Sequence, residues 1–399
     1  MDTRTLFPDL EAKVYWSYAA ISPMCEPVRA AVDGWSRALA TRGLVAFGAA
    51  VEAREALRRE LTGLLGAEPG DLALTHGTTA SILGVARSLR WRRPGEASGE
   101  RGAVVLFGGE FPTNVIPWRQ AALENQLEVI ELDHELFRDP AEGISRFSSI
   151  LKTRSVRLVA VSAVEFQTGL AMPVAELARV AHDHGALIAV DTIQKAGAMP
   201  VDLSAEGVDF AYGGGHKWLL GTDGAGWLYV SKSARAELSD AMIGWLSMED
   251  PVDFLFEPGR LGRPRRAVEQ PRAQEGGSSS SAAVFALLEG VRLCREADPA
   301  RTFAWTQRLH DAVEPRLLEL GFGSERAERP ELRSATLSLR PPSGVSLRRL
   351  QAALLARGVV LTTPDGRLRL APHFFSTMAE AELLLDAMPA ALAEATELG

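Results

Sequence analysis

The sequence predicts an α/β protein, with a parallel sheet covered on both faces in a large domain and a smaller α+β domain beside it. Three observations carry this. Short apolar runs alternate with helical patterns through the middle of the chain. Polar or glycine residues bound each run. A stretch at 259–281, rich in Arg, Pro, Gly and Ser, then breaks the pattern before shorter elements resume. With 399 residues and 46% hydrophobic content, the chain can bury a large core and divide into more than one domain.

The runs at 103–107 (AVVLF), 157–161 (RLVAV), 187–190 (LIAV) and 210–212 (FAY) read as buried strands. Between them, 173–184 (PVAELARVAHDH) has a helical pattern, and Gly185 supplies its C-terminal stop. Strand, helix, strand is the signature of a parallel sheet. Ligands of such sheets sit at the carboxyl ends of the strands. The 259–281 stretch reads as a long surface or interface loop. An amphipathic helix follows at 282–295, and beyond Ala304 helices alternate with short strands at 335–339, 358–361 and Leu368–Leu370. The domains are therefore expected as 41–260 for the large one, with 1–40 and 261–399 making the small one.

The charge balance is mildly acidic. Against 43 basic residues stand 51 acidic ones, a formal net charge of −8, which disfavours nucleic acid and anionic membranes as partners. The short basic cluster at 263–266 (RPRR) reads as a solvated loop. Two cysteines, Cys25 and Cys294, cannot build a disulfide framework or a four-thiolate metal site, and a reducing, cytoplasmic setting fits. The opening MDTRTLFPD lacks the basic-then-apolar order of a signal peptide, and no apolar run approaches the roughly 18 residues of a membrane span. His134, His182, His184, His310 and His373 form no metal-ligand spacing, so no metal is expected.

Three motifs bear on chemistry. In VDTIQ (190–194), Asp191 ends a buried strand, where an unpaired carboxylate is costly. Alone it reads first as a turn aspartate capping the next helix; the functional alternative is a partner for a protonated pyridine nitrogen. In YGGGHKW (212–218), Lys217 follows a strand in a glycine-rich turn, and a crowded site there would lower its proton affinity and favour Schiff-base chemistry. In LTHGTTAS (74–81), small and hydroxyl residues open a helix, which suits an ordinary N-cap or an anion site. Neither a P-loop nor a dinucleotide-binding glycine fingerprint is present, which excludes the common nucleotide-binding α/β enzymes.

In this order the three motifs resemble the class V aminotransferase family, which includes cysteine desulfurases, kynureninases and isopenicillin N epimerase-like enzymes. Residues 190–231 (VDTIQKAGAMPVDLSAEGVDFAYGGGHKWLLGTDGAGWLYVS) match its pattern nearly throughout, and a weaker resemblance begins at 7–23 (FPDLEAKVYWSYAAISP). The resemblance implies fold type I of the pyridoxal-phosphate (PLP) enzymes, with a mostly parallel seven-stranded sheet. It implies that Lys217 carries pyridoxal 5′-phosphate as a Schiff base. Asp191 would pair with the pyridine nitrogen and Gln194 with the ring oxygen. Gly77, Thr78, Thr79 and His216 would hold the phosphate. Gly214 stands where the family often has a serine, so one phosphate contact is in doubt. Ser278 stands where the family has a threonine reaching the partner subunit's phosphate, which implies a homodimer; a plain flexible loop is the alternative.

The same resemblance bears on the reaction. Phe111 occupies the place where desulfurases put a histidine over the ring; it can stack but cannot shuttle protons. Arg369 would recognise an α-carboxylate, with Arg367 the weaker candidate, and Asn114 and His373 are expected near the substrate. Residues 350–369 contain no cysteine, so persulfide formation by the desulfurase route is not expected. The expected enzyme acts on a small amino acid, with Lys217 taking the Cα proton. β-Elimination, including C–S cleavage, is slightly favoured. Transamination, racemisation or epimerisation, and kynureninase-like cleavage stay open. A non-catalytic binding module is the alternative from another class, against which the joint retention of Lys217, Asp191, Gln194 and His216 argues.

Overall fold

The computed structural model describes residues 2–92, 102–255, 257–261 and 266–396. Its centre is a seven-stranded sheet. We label the strands β1 (Leu72–Thr75), β2 (Ala103–Gly108), β3 (Glu128–Asp133), β4 (Val156–Ser162), β5 (Leu187–Asp191), β6 (Phe210–Gly214) and β7 (Gly226–Val230). Their order across the sheet is β1-β7-β6-β5-β4-β2-β3. Strands β3, β2, β4, β5 and β6 pair in parallel, and β7 runs antiparallel to both its neighbours.

The burial of each strand follows from its place. Every residue of β4, VRLVAVS, is buried, as expected for a central parallel strand covered on both faces. At the sheet edge, β3 (EVIELD) buries only Leu132. Its charged alternation hides it from a search for apolar runs, and the charges protect an exposed edge from pairing with another chain. Between β4 and β5 the helix Val174–Asp183 turns back across the sheet, and Gly185 follows at φ 70°, a left-handed position that suits glycine.

A second, smaller core lies apart from the sheet. It joins Val14 and Trp16 with buried residues from Leu309 to Ala395. Strand Val14–Tyr15 pairs in parallel with Val359–Val360, and Leu368–Leu370 pairs antiparallel with Leu337–Arg340. The helix Ser281–Ala297, expected with the small domain, instead contributes Ala283, Leu287, Val291 and Cys294 to the core of the large sheet. Its apolar face meets the helices Glu26–Arg42 and Phe47–Leu65. The described part of the 259–281 stretch is largely irregular, with one short turn of helix at Arg272–Glu275; of the basic cluster, only Arg266 lies within the described residues. No helix among the described residues is long and apolar enough to cross a membrane.

Candidate active site

A cavity of about 700 Å³ opens at the carboxyl ends of the central strands. It gathers Gly77, Thr78, Thr79, Phe111, Asp191, Gln194, His216, Lys217 and Arg369 from segments far apart in the chain.

Asp191 is the last residue of β5, and its Oδ1 accepts the Ile193 N–H at 2.9 Å. Burial raises its pKa above the ordinary carboxylate value. The Ile193 N–H opposes that rise, the Glu110 charge adds to it, and Lys217 opposes it. Lys217 enters from the turn after β6. Burial lowers the pKa of its amine, Asp191 opposes this, and Arg369 adds to it. The Lys217 Nζ stands 5.7 Å from the centre of the Phe111 ring, and Phe111 in turn meets Phe166 edge-on at 5.5 Å. Gln194 is held at both ends of its amide: Oε1 accepts from Trp218 Nε1 at 2.9 Å, and Nε2 donates to the Ala19 carbonyl at 2.9 Å.

The turn after β1 has a shape that suits an anion. Gly77 has φ 140°, which side-chain-bearing residues rarely adopt. It rests directly on Gly226, where a Cβ would come within 2.5 Å of the Gly77 Cα. The helix Thr78–Ser88 starts there with no side-chain cap, so its first N–H groups are free to bind. The Thr78 Oγ1 is buried without a hydrogen-bond partner. His216 lines the same end of the cavity, its Nδ1 3.5 Å from Asp223 Oδ1. An orphaned hydroxyl, uncapped amides and an imidazole together fit a phosphate group.

Arg369 comes from the small core. Its Nε donates to Thr362 Oγ1 at 3.2 Å and its Nη1 to the Phe166 carbonyl at 3.1 Å. Burial lowers its pKa to about 10, with Glu165 opposing, so it stays a cation at neutral pH.

Other expected residues lie elsewhere. Asn114 is buried behind the cavity, its Oδ1 accepting from the Tyr212 hydroxyl at 2.6 Å and from Trp118 Nε1 at 3.2 Å. His373 is also fully buried; its Nε2 donates to the Trp218 carbonyl at 2.9 Å and its Nδ1 accepts the Phe374 N–H at 2.8 Å. Neither borders the cavity, because their polar atoms are consumed by internal bonds. Arg367 turns to Gln167 and Asp365, and Ser278 is exposed outside its own chain's cavity. Conversely, Ser162 and Phe166 border the cavity, and Glu110 is buried beside Ser162, without having been singled out in the sequence. Position just after a strand could have flagged Ser162 and Glu110; Phe166 carries no local signal. Among the described residues no cluster of metal-ligating side chains occurs.

The sequence model of the family described as aminotransferase class-V matches residues 14–367. The chain belongs to the class-V aminotransferase family. Isopenicillin N epimerase of Streptomyces clavuligerus is 30% identical over 350 residues, covering 86% of this chain and 84% of its own. The uncharacterized aminotransferase YcbU of Bacillus subtilis (strain 168) is 27% identical over 393 residues, covering 97% and 96%. The cystine C-S lyase C-DES, solved with its reaction product cysteine persulfide, superposes with a TM-score of 0.83 at 21% identity, over 98% of this chain and 100% of that one. At that identity the likeness is one of fold, and it is the type I fold expected from the sequence. Class-V aminotransferases are PLP-dependent enzymes, and the cofactor is pyridoxal 5′-phosphate.

Proposed function

We propose that this class-V enzyme is a lyase acting on a small amino acid whose β-carbon bears a leaving group, a sulfur substituent foremost. The observation that carries the reading is what faces Lys217. Asp191 and Arg369 share its cavity, Phe111 rather than a titratable side chain stands 5.7 Å from its amine, and both cysteines are buried away from it.

PLP, when bound, supplies an aldehyde that condenses with amines and a ring that accepts an electron pair from Cα. Thr78, Thr79 and the free amides of their helix hold its phosphate, with His216 alongside. Asp191 keeps the ring nitrogen protonated, and Gln194 donates to the ring oxygen. Lys217 would bind the cofactor's aldehyde group. Arg369 grips the substrate α-carboxylate through its planar fork and so turns the Cα–H toward Lys217. The Lys217 amine, shifted toward its neutral form by burial, then takes the Cα proton. Phe111 would stack against the cofactor ring in the cavity. It cannot deliver a proton there, which supports loss of a β-substituent over inversion at Cα. Leu83, Val164 and Phe166 give the cavity apolar walls that exclude water and suit a sulfur leaving group. Cys294 is fixed by its Sγ–H to the Trp218 carbonyl at 3.2 Å, and burial raises its thiol pKa far above the ordinary range. The sulfur therefore departs as a free product rather than onto the protein.

Transamination uses the same Lys217 proton transfer and is the second reading, favoured by the aminotransferase name of the Bacillus relative that spans nearly the whole chain. We also infer a homodimer. Leu39, Leu44, Val45 and Phe47 expose apolar side chains on one segment, and Ser278 is exposed and outside its own cavity, which supports a role in a neighbouring subunit's.

The test is to add S-substituted cysteines to the purified enzyme without any 2-oxo acid, following the cofactor's visible absorbance and the release of pyruvate and ammonia. Sustained release with the absorbance preserved supports the lyase. Bleaching that only a 2-oxo acid reverses would overturn it in favour of the transaminase.

A further inference from the structure

The carboxyl ends of four adjacent strands carry a continuous polar row. Along the sheet order β5-β4-β2-β3, Asp191 ends β5 and Ser162 ends β4 beside it in register. Glu110 lies just past the end of β2, and His134 just past the end of β3. The row thus runs from the cavity to the edge of the sheet.

Its members are tightly joined. The Glu110 carboxylate is buried; one oxygen accepts the Ser162 N–H at 2.6 Å, and the other accepts the Ser162 hydroxyl. His134 is buried too. Its Nδ1–H donates to the Gly108 carbonyl at 2.6 Å, and its Nε2 stands 3.4 Å from Glu110 Oε1. His134 Nε2 is buried without a hydrogen-bond partner, and a protonated ring would pair there with the Glu110 carboxylate. None of the roles assigned to the cavity uses these two residues. A buried carboxylate is tolerated only when it is paired, and two buried carboxylates near each other repel.

We propose that Glu110 and His134 form a positioning pair for Asp191: Glu110 braces Ser162, which lies in register beside Asp191, and His134 balances the buried Glu110 charge so that Asp191 can act as an anion. This rests on the reading of Asp191 as the ring-nitrogen partner. The charged and titratable groups facing the unit are few. Asp191 faces Lys217, Glu110 and the buried Tyr212 hydroxyl, and His134 faces Glu110 and Glu165. Their balance agrees with the geometry. Burial works against a charged His134, yet Glu110 and Glu165 outweigh it and raise the imidazole pKa above its ordinary value.

The experiment is equilibrium binding of pyridoxal 5′-phosphate across pH 5 to 9 by fluorescence quenching, in a Lys217→Ala background so that the lysine does not titrate. Affinity declines on the acid side as Asp191 takes a proton. Glu110→Gln removes the repelling charge and is expected to move that decline to lower pH by about one unit, and His134→Gln to move it upward by a similar amount. Adding His134→Gln to Glu110→Gln should shift it no further. Unmoved midpoints, or shifts of the same sign, overturn the pairing. If Glu110→Gln does not fold, His134→Gln decides alone: an upward shift supports the pair, and an unchanged or lower midpoint refutes it. Asp191→Asn separates the two levels of the argument. If the acid-side decline persists in that variant, it is the role of Asp191 that fails.

Discussion

The indole N–H of Trp218 donates to the Gln194 Oε1 at 2.9 Å, which turns the amide so that it offers the cavity an N–H rather than a carbonyl oxygen. The neighbour of the lysine thus fixes the polarity of a residue reached from the next strand. Gln194 Nε2 uses one N–H on the Ala19 carbonyl and keeps the other. An amide so oriented suits an anionic ring oxygen and would repel a hydrogen-bond donor there.

Trp218→Phe tests this. It removes the donor while keeping an aromatic body, and it is expected to weaken cofactor binding three- to tenfold, about 1 kcal/mol for one lost hydrogen bond. The cofactor's absorbance maximum should shift as well, because the amide can then flip. Binding and spectrum identical to the wild type would show that Gln194 is oriented by other contacts.

Lys217→Ala should leave a folded protein that binds the cofactor without covalent attachment. Turnover should fall at least 10²- to 10⁴-fold, the range typical of losing a positioned proton-transfer group. Borohydride labelling followed by peptide mapping checks the attachment: the label should fall on the peptide containing Lys217 and vanish in the variant.

Arg369→Lys keeps the charge but loses the planar fork, as well as the bonds to Thr362 and Phe166 that aim it. KM for the amino acid is expected to rise about tenfold or more, with a smaller fall in kcat, since one or two charge-assisted bonds to a carboxylate are lost. Steady-state kinetics separate the two. An unchanged KM would assign carboxylate binding to another residue.

Acid stability should depend on His310. It is fully buried in the small core, and burial, with Arg326 adding, lowers its pKa to about 3. The unfolded chain takes up this proton near pH 6.5, well before the folded one does. The contribution to stability is therefore whole above pH 6.5 and is lost progressively as pH falls toward 3. By pH 4 the loss is on the order of 3 kcal/mol. His310→Leu should flatten the fall of Tm between pH 7 and pH 4, as read by scanning calorimetry; a parallel profile in the variant would rule this out.

Much of the site was legible because the chemistry repeats in local patterns. Asp191, Gln194, His216 and Lys217 lie in strand-end segments whose residue order is diagnostic, and all four reach the cavity. Strands β2, β4, β5 and β6 were legible as apolar runs, whereas β3 was hidden by its charged faces and β1 by its brevity. The misplacements share one cause. Proximity in sequence to a functional residue says nothing about side-chain direction, so Asn114 and His373 were expected at the cavity and instead face inward. The helix Ser281–Ala297 shows the same limit for domains: its amphipathic pattern gave the helix but not the core that its apolar face joins. Glu110 and His134 gained their meaning only when the sheet order set β2 beside β3 and β4.

The pairing of Val14–Tyr15 with Val359–Val360 ties an early segment of the chain to a late one in the small core. The segments that cradle the cofactor, from Gly77 to Lys217, emerge early and belong to one sheet. The guanidinium of Arg369, which lines the cavity, emerges much later, and its strand follows on the segment that closes against Val14–Tyr15. The large core also draws on the late helix Ser281–Ala297, so the cavity is built from segments made at both ends of synthesis.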